Sequence, residues 1–233
     1  MTQHTSFGST HQEEPTGLWQ AYVRRRYALL FYSLLLTLVV HPIAIAIGMT
    51  GNFLQLFLVL NLLAAALPGD SRKGRWVVLA ILLAAVLIRG AAMWFGHGGL
   101  HHTSVVLLAG IALFGVFSAL RFALRASAIT SEHLYGALSA YLMAGVFLGM
   151  VYASVAQAWP GSIIVSGSGA AQPFSLANGI YFSFITLATV GYGDFVPGND
   201  AVRGLAVVEA IAGQFYLAVM IARLMSLYMR EAR

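Results

Sequence analysis

Cysteine is absent from the 233 residues, and Asp, Glu, Lys and Arg together make up only 9%. The missing cysteine excludes disulfides, thiolate metal sites and cysteine nucleophiles. A soluble domain carries about 25% charged residues. At 9% the chain lacks the charge to coat a globular surface, which excludes a soluble enzyme. No metal motif, phosphate-binding loop or paired carboxylates stand in the sequence, so no enzyme activity and no cofactor are expected. What is present is apolar: 59% of the residues are hydrophobic. That excludes a disordered chain and leaves an integral membrane protein. The net charge of +5 reflects the Lys and Arg that membrane proteins collect in their cytoplasmic loops, and no nucleic-acid partner is expected.

A spanning helix needs about 20 apolar residues. Six runs meet or approach that length: 27–47, 53–68, 76–95, 104–122, 134–158 and 201–228. Residues 1–17 are polar and have no apolar core, so they read as a cytoplasmic tail and not as a signal peptide. Residues 18–26 mix aromatic and basic side chains, as an interfacial segment does. Turns or loops are expected at 48–52, 69–75 and 96–103, an amphipathic connector at 121–133, and a Gly- and Ser-rich loop at 160–175. A shorter apolar segment, 176–188, precedes a glycine-rich stretch at 190–200.

With the N-terminus inside, all of the 13 Lys and Arg except Arg89 and Arg203 fall on the cytoplasmic side, as the positive-inside rule requires. Both termini are therefore expected in the cytoplasm, in a multi-pass protein of the cell (inner) membrane. The region 160–200 then faces outward.

The segment 176–188 leads into Thr189-Val190-Gly191-Tyr192-Gly193. Irregular backbone at membrane depth is tolerated only where protein buries it or water reaches it. A glycine-rich strand there lines a cavity. The pentapeptide resembles the filter loop of potassium channels, in which an ion entering a narrow pore sheds water and oxygens must replace that shell. The carbonyls of Thr189, Val190, Gly191 and Tyr192 can point to one axis only if some residues take positive φ, which glycine does at little cost. The Thr189 hydroxyl adds an innermost oxygen ring. The short helix aims its C-terminal dipole at the cavity below, which favours a cation.

From residue 134 to 228 the chain resembles the pore module of tetrameric potassium channels: outer helix, pore helix, filter and inner helix. The stretch YFSFITLATVGYGDFVPGND carries that resemblance. It implies an all-α membrane protein of six transmembrane helices plus a re-entrant pore helix and filter. It also implies a homotetramer, because each chain supplies one filter strand. The permeant ion would be K+, held by Thr189, Val190, Gly191 and Tyr192. By the same resemblance Asp194 is the acid outside the filter, Pro197 lies in the external loop, and Gly213 stands at the inner-helix hinge. Three positions depart from the pattern. Ile185 replaces a glutamate that some relatives pair with the acid. Ala188 replaces a second threonine. Tyr181 and Phe182 stand where voltage-gated relatives often carry two tryptophans. Tyr181 is expected to donate to Asp194 and brace the outer filter. The implied organisation is a tail and interfacial segment at 1–26, a four-helix membrane domain with its connector at 27–133, and a pore domain at 134–233.

Glu209 lies about two turns into the last run. An intramembrane acid is costly and marks a functional candidate. It stands one turn from Gly213, on the same face. Its expected partners are pore-helix hydroxyls, Ser183 or Thr186, through which it would support the filter; a structural acid satisfied by a backbone group is the alternative. His97, His101 and His102 cluster in one outer loop near His41, and read either as a pH or zinc sensor or as a polar loop. Arg89 falls inside the third run with no acid in the first four runs to pair it.

A voltage sensor needs arginines at every third position of the fourth span, facing acids on the first three. Here that span offers only Arg121 and Arg125, both at its cytoplasmic end, and the sole acid between residues 27 and 111 is Asp70. Snorkelling anchors account for both arginines. The first four spans are therefore expected to form a non-sensing domain that stabilises the tetramer or couples membrane lipid to the pore. The alternatives are a voltage-gated channel with a degenerate sensor and a non-conducting membrane scaffold or regulatory subunit.

Overall fold

The computed structural model describes residues 25–47, 58–61, 80, 83, 87, 98–124, 130–166 and 174–231. Among the described residues, four long helices, one short helix and a two-stranded sheet follow in chain order. They are α1 (Arg26–Ala46), α2 (Gly98–Leu124), α3 (Ser131–Ala158), β1 (Ile163–Val165), α4 (Leu176–Leu187), β2 (Phe195–Pro197) and α5 (Asp200–Glu231). Four stretches of these helices are long and apolar enough to cross a membrane: Arg26–Ala44, Leu107–Leu124, Ser131–Ala158 and Asp200–Arg223. The runs 53–68 and 76–95 lie outside the described residues, apart from the helical stretch 58–61 and the single positions 80, 83 and 87.

Two local expectations are corrected. Residues 98–103 are helical, although the sequence reads as a loop over 96–103. Histidines end the apolar run there, but polarity does not break the backbone ladder, and no proline interrupts it. The segment 160–175 is more than a Gly- and Ser-rich loop. Its Ile163–Val165 pairs antiparallel with Phe195–Pro197, in the register Ile163 to Pro197, Ile164 to Val196 and Val165 to Phe195. Pro197, expected in a loop, sits in this edge strand, where a missing N–H is tolerated.

The outer helix α3 organises the bundle. Its buried positions are mostly small: Gly136, Ala137, Ser139, Ala140, Gly145, Gly149 and Ala153 among them. Small residues let membrane helices approach closely, where lipid gives no hydrophobic drive to associate. The closest approach is to α4. A Cβ on Gly149 would stand 2.5 Å from the Ile180 Cα, and one on Gly179 would strike the Gly149 carbonyl. Leu30 and Leu34 of α1, Ala112 of α2, Met143, Val146 and Met150 of α3 and Ile180 of α4 form one continuous core.

Polar groups inside that core are paired, as lipid demands. Thr37 donates to the Ser33 carbonyl at 2.7 Å, and the Asn61 amide donates to Thr37 at 2.9 Å. Ser33 also donates to Asn61. The helical stretch 58–61 is thereby tied to α1. At the start of α3, both the Thr130 N–H and the Thr130 hydroxyl donate to His133 Nδ1, at 3.3 and 2.7 Å. His133 thus satisfies an end-of-helix amide and stacks on Phe122.

Candidate functional site: a glycine-rich strand on a three-helix anchor

The short helix α4 starts at Ser175, whose side chain accepts from the Asn178 N–H at 3.1 Å, an N-cap. It ends at Leu187. Beyond it the backbone turns on three bonds: Thr189 N–H to Thr186 carbonyl at 2.9 Å, and Val190 and Gly191 N–H to the Ile185 carbonyl at 2.8 and 3.2 Å. Three alternate residues then take positive φ: Thr189 at 56°, Gly191 at 55° and Gly193 at 79°. Glycine does so freely. Thr189 is β-branched and ordinarily avoids that region, at a cost of about 1–3 kcal/mol. The bonds around it hold it there. Positive φ at the glycines is foreseen by the glycine content, whereas at Thr189 no sequence signal announces it.

Glu209 of α5 sits at the centre of a buried hydrogen-bonded node. Ser183 of α4 donates to its Oε1 at 2.6 Å. The Tyr152 phenol of α3 donates to its Oε2 at 2.7 Å. Glu209 is 2% exposed and both donors are fully enclosed, so the carboxylate has two strong O–H donors in place of water. Of the two pore-helix hydroxyls considered from the sequence, Ser183 is the partner. Tyr152 was not legible: it lies 57 residues away, and only the rotation of α3 brings it in. Phe182 packs edge-on against the Tyr152 ring at 4.8 Å.

Gly213 lies one turn further along α5, where a Cβ would strike the Leu187 carbonyl at the end of α4. Helix α5 runs unbroken through it. Close packing alone thus requires a glycine at this position. The next residue, Gln214, is absent from the sequence-based candidates. Its Nε2 donates to Thr189 Oγ1 at 3.4 Å. Lower on the same helix the Tyr216 phenol donates to the Ala137 carbonyl at 2.5 Å, and Arg223 donates to the Leu124 carbonyl.

On the other side of the strand, Asp194 accepts from the Phe195 N–H at 3.0 Å, and the Ser166 N–H donates to the Asp194 carbonyl at 2.7 Å. The Tyr181 ring packs edge-on against Phe195, the residue after Asp194, at 5.9 Å. Asn199 caps α5 by accepting from the Val202 N–H at 2.9 Å. Arg203 pairs with Asp200 at 3.0 Å on the exposed surface, which accounts for its place outside the basic cluster. Val190 and Tyr192 are 51% and 73% exposed in the single chain.

Arg89, Arg125 and His97 lie outside the described residues; His101 and His102 fall in the helical backbone of α2. Among the described residues no group of three His, Asp or Glu is placed to hold a metal ion.

Residues 137–230 match the family described as "Ion channel". That stretch covers α3 from its second turn, the sheet, α4, the glycine-rich strand and nearly all of α5. The chain is 39% identical over 58 residues to "Potassium channel, subfamily K, member 16" of Mus musculus, which is 22% of this chain and 20% of that protein. It is 38% identical over 57 residues to "Potassium channel subfamily K member 16" of Homo sapiens, 22% of this chain and 18% of that one. The chain thus aligns with about a fifth of the length of these curated relatives. No solved structure matches it. The apolar helices and the matched domain together define a multi-pass membrane protein with an ion channel domain.

Proposed function

We propose that the chain is the subunit of a homotetrameric potassium channel in the cell membrane, with both termini cytoplasmic and Thr189 to Gly193 as its selectivity filter. The observation that carries this reading is the backbone of TVGYG: positive φ at Thr189, Gly191 and Gly193. Alternation of hand lays successive peptide groups in one sense, so that carbonyls of Thr189, Val190, Gly191 and Tyr192 line one side and replace the ion's water. Four such strands around an axis close the coordination shell. The exposed Val190 and Tyr192 support neighbouring subunits. So does α5, whose spanning stretch is only 17% buried against 50% in α3.

Glu209, Ser183 and Tyr152 hold the pore helix to the inner and outer helices, and Tyr181 and Asp194 support the outer end of the filter. The match to the ion channel family and the potassium channel relatives support the ion-conducting reading. Purified protein in liposomes tests it. Potassium flux well above sodium flux is expected. Equal fluxes would defeat the filter assignment, and no flux from an assembled tetramer would favour a scaffold.

A further inference from the structure

A cavity of about 510 Å³ opens where the starts of α1 and α3 meet, far from the filter in sequence. That size suits a small ligand or a headgroup. Its walls carry opposite charges: Arg25 beside α1, and Glu132 on α3. The two line one cavity without forming a salt bridge to each other. Arg26, the next residue, is engaged elsewhere, with its guanidinium over the Tyr27 ring at 4.9 Å and the Phe122 ring at 5.4 Å. Glu132 is fixed in place by one oxygen, Oε2, which accepts from the Tyr27 N–H at 3.1 Å. A carboxylate accepts at both oxygens. Tyr32 and Tyr135 complete the acidic side, with their phenol oxygens 3.0 Å apart, and Thr130 and Ser131 add hydroxyls.

The cavity continues into an apolar strip. Leu29, Tyr32, Leu36, Val39 and Ile43 of α1 are all half or more exposed and recur at the three- and four-residue spacing of one helix face. The strip runs from the polar end of a membrane-capable helix along its apolar length. A ligand that fits the whole surface has a cation and an anion in its polar part and a hydrocarbon chain attached.

We propose that this cleft seats a phosphatidylethanolamine molecule, with its phosphate on Arg25 and Ser131, its ammonium on Glu132 and the tyrosine oxygens, and an acyl chain along the α1 strip. Guanidinium binds phosphate oxygens in a fork. A primary ammonium has three N–H donors, matched by the Glu132 carboxylate and the two phenols. Choline has no such donor, and phosphatidylglycerol has no cation for Glu132. The site is a property of the bundle and stands whether or not the pore conducts potassium.

The test is native mass spectrometry of the full chain in detergent, titrated with dioleoyl phosphatidylethanolamine, phosphatidylcholine, phosphatidylglycerol and dioleoylglycerol. Phosphatidylethanolamine should bind about tenfold tighter than the others, the size expected from one charge-assisted contact. Arg25→Gln and Glu132→Gln should each reduce that binding about tenfold, since each removes one such contact. The glutamine at 132 keeps an oxygen for the Tyr27 N–H, so the helix start is preserved. Equal binding of the four lipids to the wild-type chain, a readout that needs no variant, would overturn the proposal. Unchanged binding in both variants would do the same. Soluble O-phosphoethanolamine binding as tightly as the lipid would assign the cleft to a free metabolite instead.

Discussion

The Ser183 hydroxyl and the Glu209 carboxylate meet at 2.6 Å, joining the short pore-side helix to the long C-terminal one inside the apolar bundle. Tyr152 closes the same carboxylate from a third helix. Glu209→Ala leaves two buried hydroxyls without an acceptor, at about 1–3 kcal/mol each. The assembly should melt at lower temperature and its potassium selectivity in flux assays should fall. Glu209→Gln keeps an accepting oxygen and should lose less. An alanine variant with wild-type melting and wild-type selectivity would remove Glu209 from filter support.

Gly191 has φ of 55° and nothing within 4 Å of a built Cβ. Alanine there meets no steric clash in the single chain, so its cost is conformational: positive φ disfavours any Cβ by about 1–2 kcal/mol. In the proposed tetramer four such residues would crowd one axis. Gly191→Ala should abolish potassium conduction or its preference over sodium, measured in liposomes, while the protein still assembles.

Tyr181 and Phe182 are neighbours in sequence with opposite surroundings, one exposed with its ring against Phe195, the other buried against Tyr152. Tyr181→Phe removes only the phenol oxygen. Faster loss of current during sustained opening is expected in patch recordings, with single-channel conductance unchanged. Identical inactivation would show that Asp194 is held by its backbone bonds alone.

Gly213→Ala distinguishes packing from hinging. Its Cβ meets the Leu187 carbonyl, so packing predicts a lower melting temperature along with reduced flux. A pure hinge predicts changed open probability at unchanged melting temperature. The first pattern is expected.

Arg121 stands in the last turn of α2, at the end that the positive-inside rule assigns to the cytoplasm. Steep gating moves about 3–4 charges per subunit across the membrane field. Arg121→Gln should leave the slope of the conductance–voltage relation unchanged. A flattened curve would restore a voltage-sensing role for the chain before residue 134.

Composition and apolar run length foretell the long helices of the C-terminal half to within a few residues, because a bilayer imposes length and leaves little else to choose. The glycines of the filter strand are legible for a similar reason: their φ values need that residue type. Tyr152 and Gln214 are not legible. A helix apolar on all sides encodes no preferred rotation, so sequence spacing cannot say which of its few polar atoms meet Glu209 or Thr189. The strands β1 and β2 are three residues each, too short for a period-two pattern to register against a glycine-rich background. The β-branched triplet Ile163-Ile164-Val165 and the single Val196 between Phe195 and Pro197 are the only trace they leave. Thr189 lies at the other extreme: its φ contradicts its type, and the surrounding bonds override local preference.

The β1–β2 pairing also orders the birth of the molecule. Synthesis runs from the N-terminus, so Ile163–Val165 is made well before Phe195–Pro197 and has no strand partner until the pore helix and the TVGYG segment have been synthesised. Its three residue pairs are long-range contacts, which form late because the intervening chain must first be brought together. The sheet thus closes after the segment it encloses, and it draws the two ends of that segment together. A nascent chain halted before residue 195 would carry α4 without the β1–β2 pairing, a form recognisable by protease access to residues 160–166.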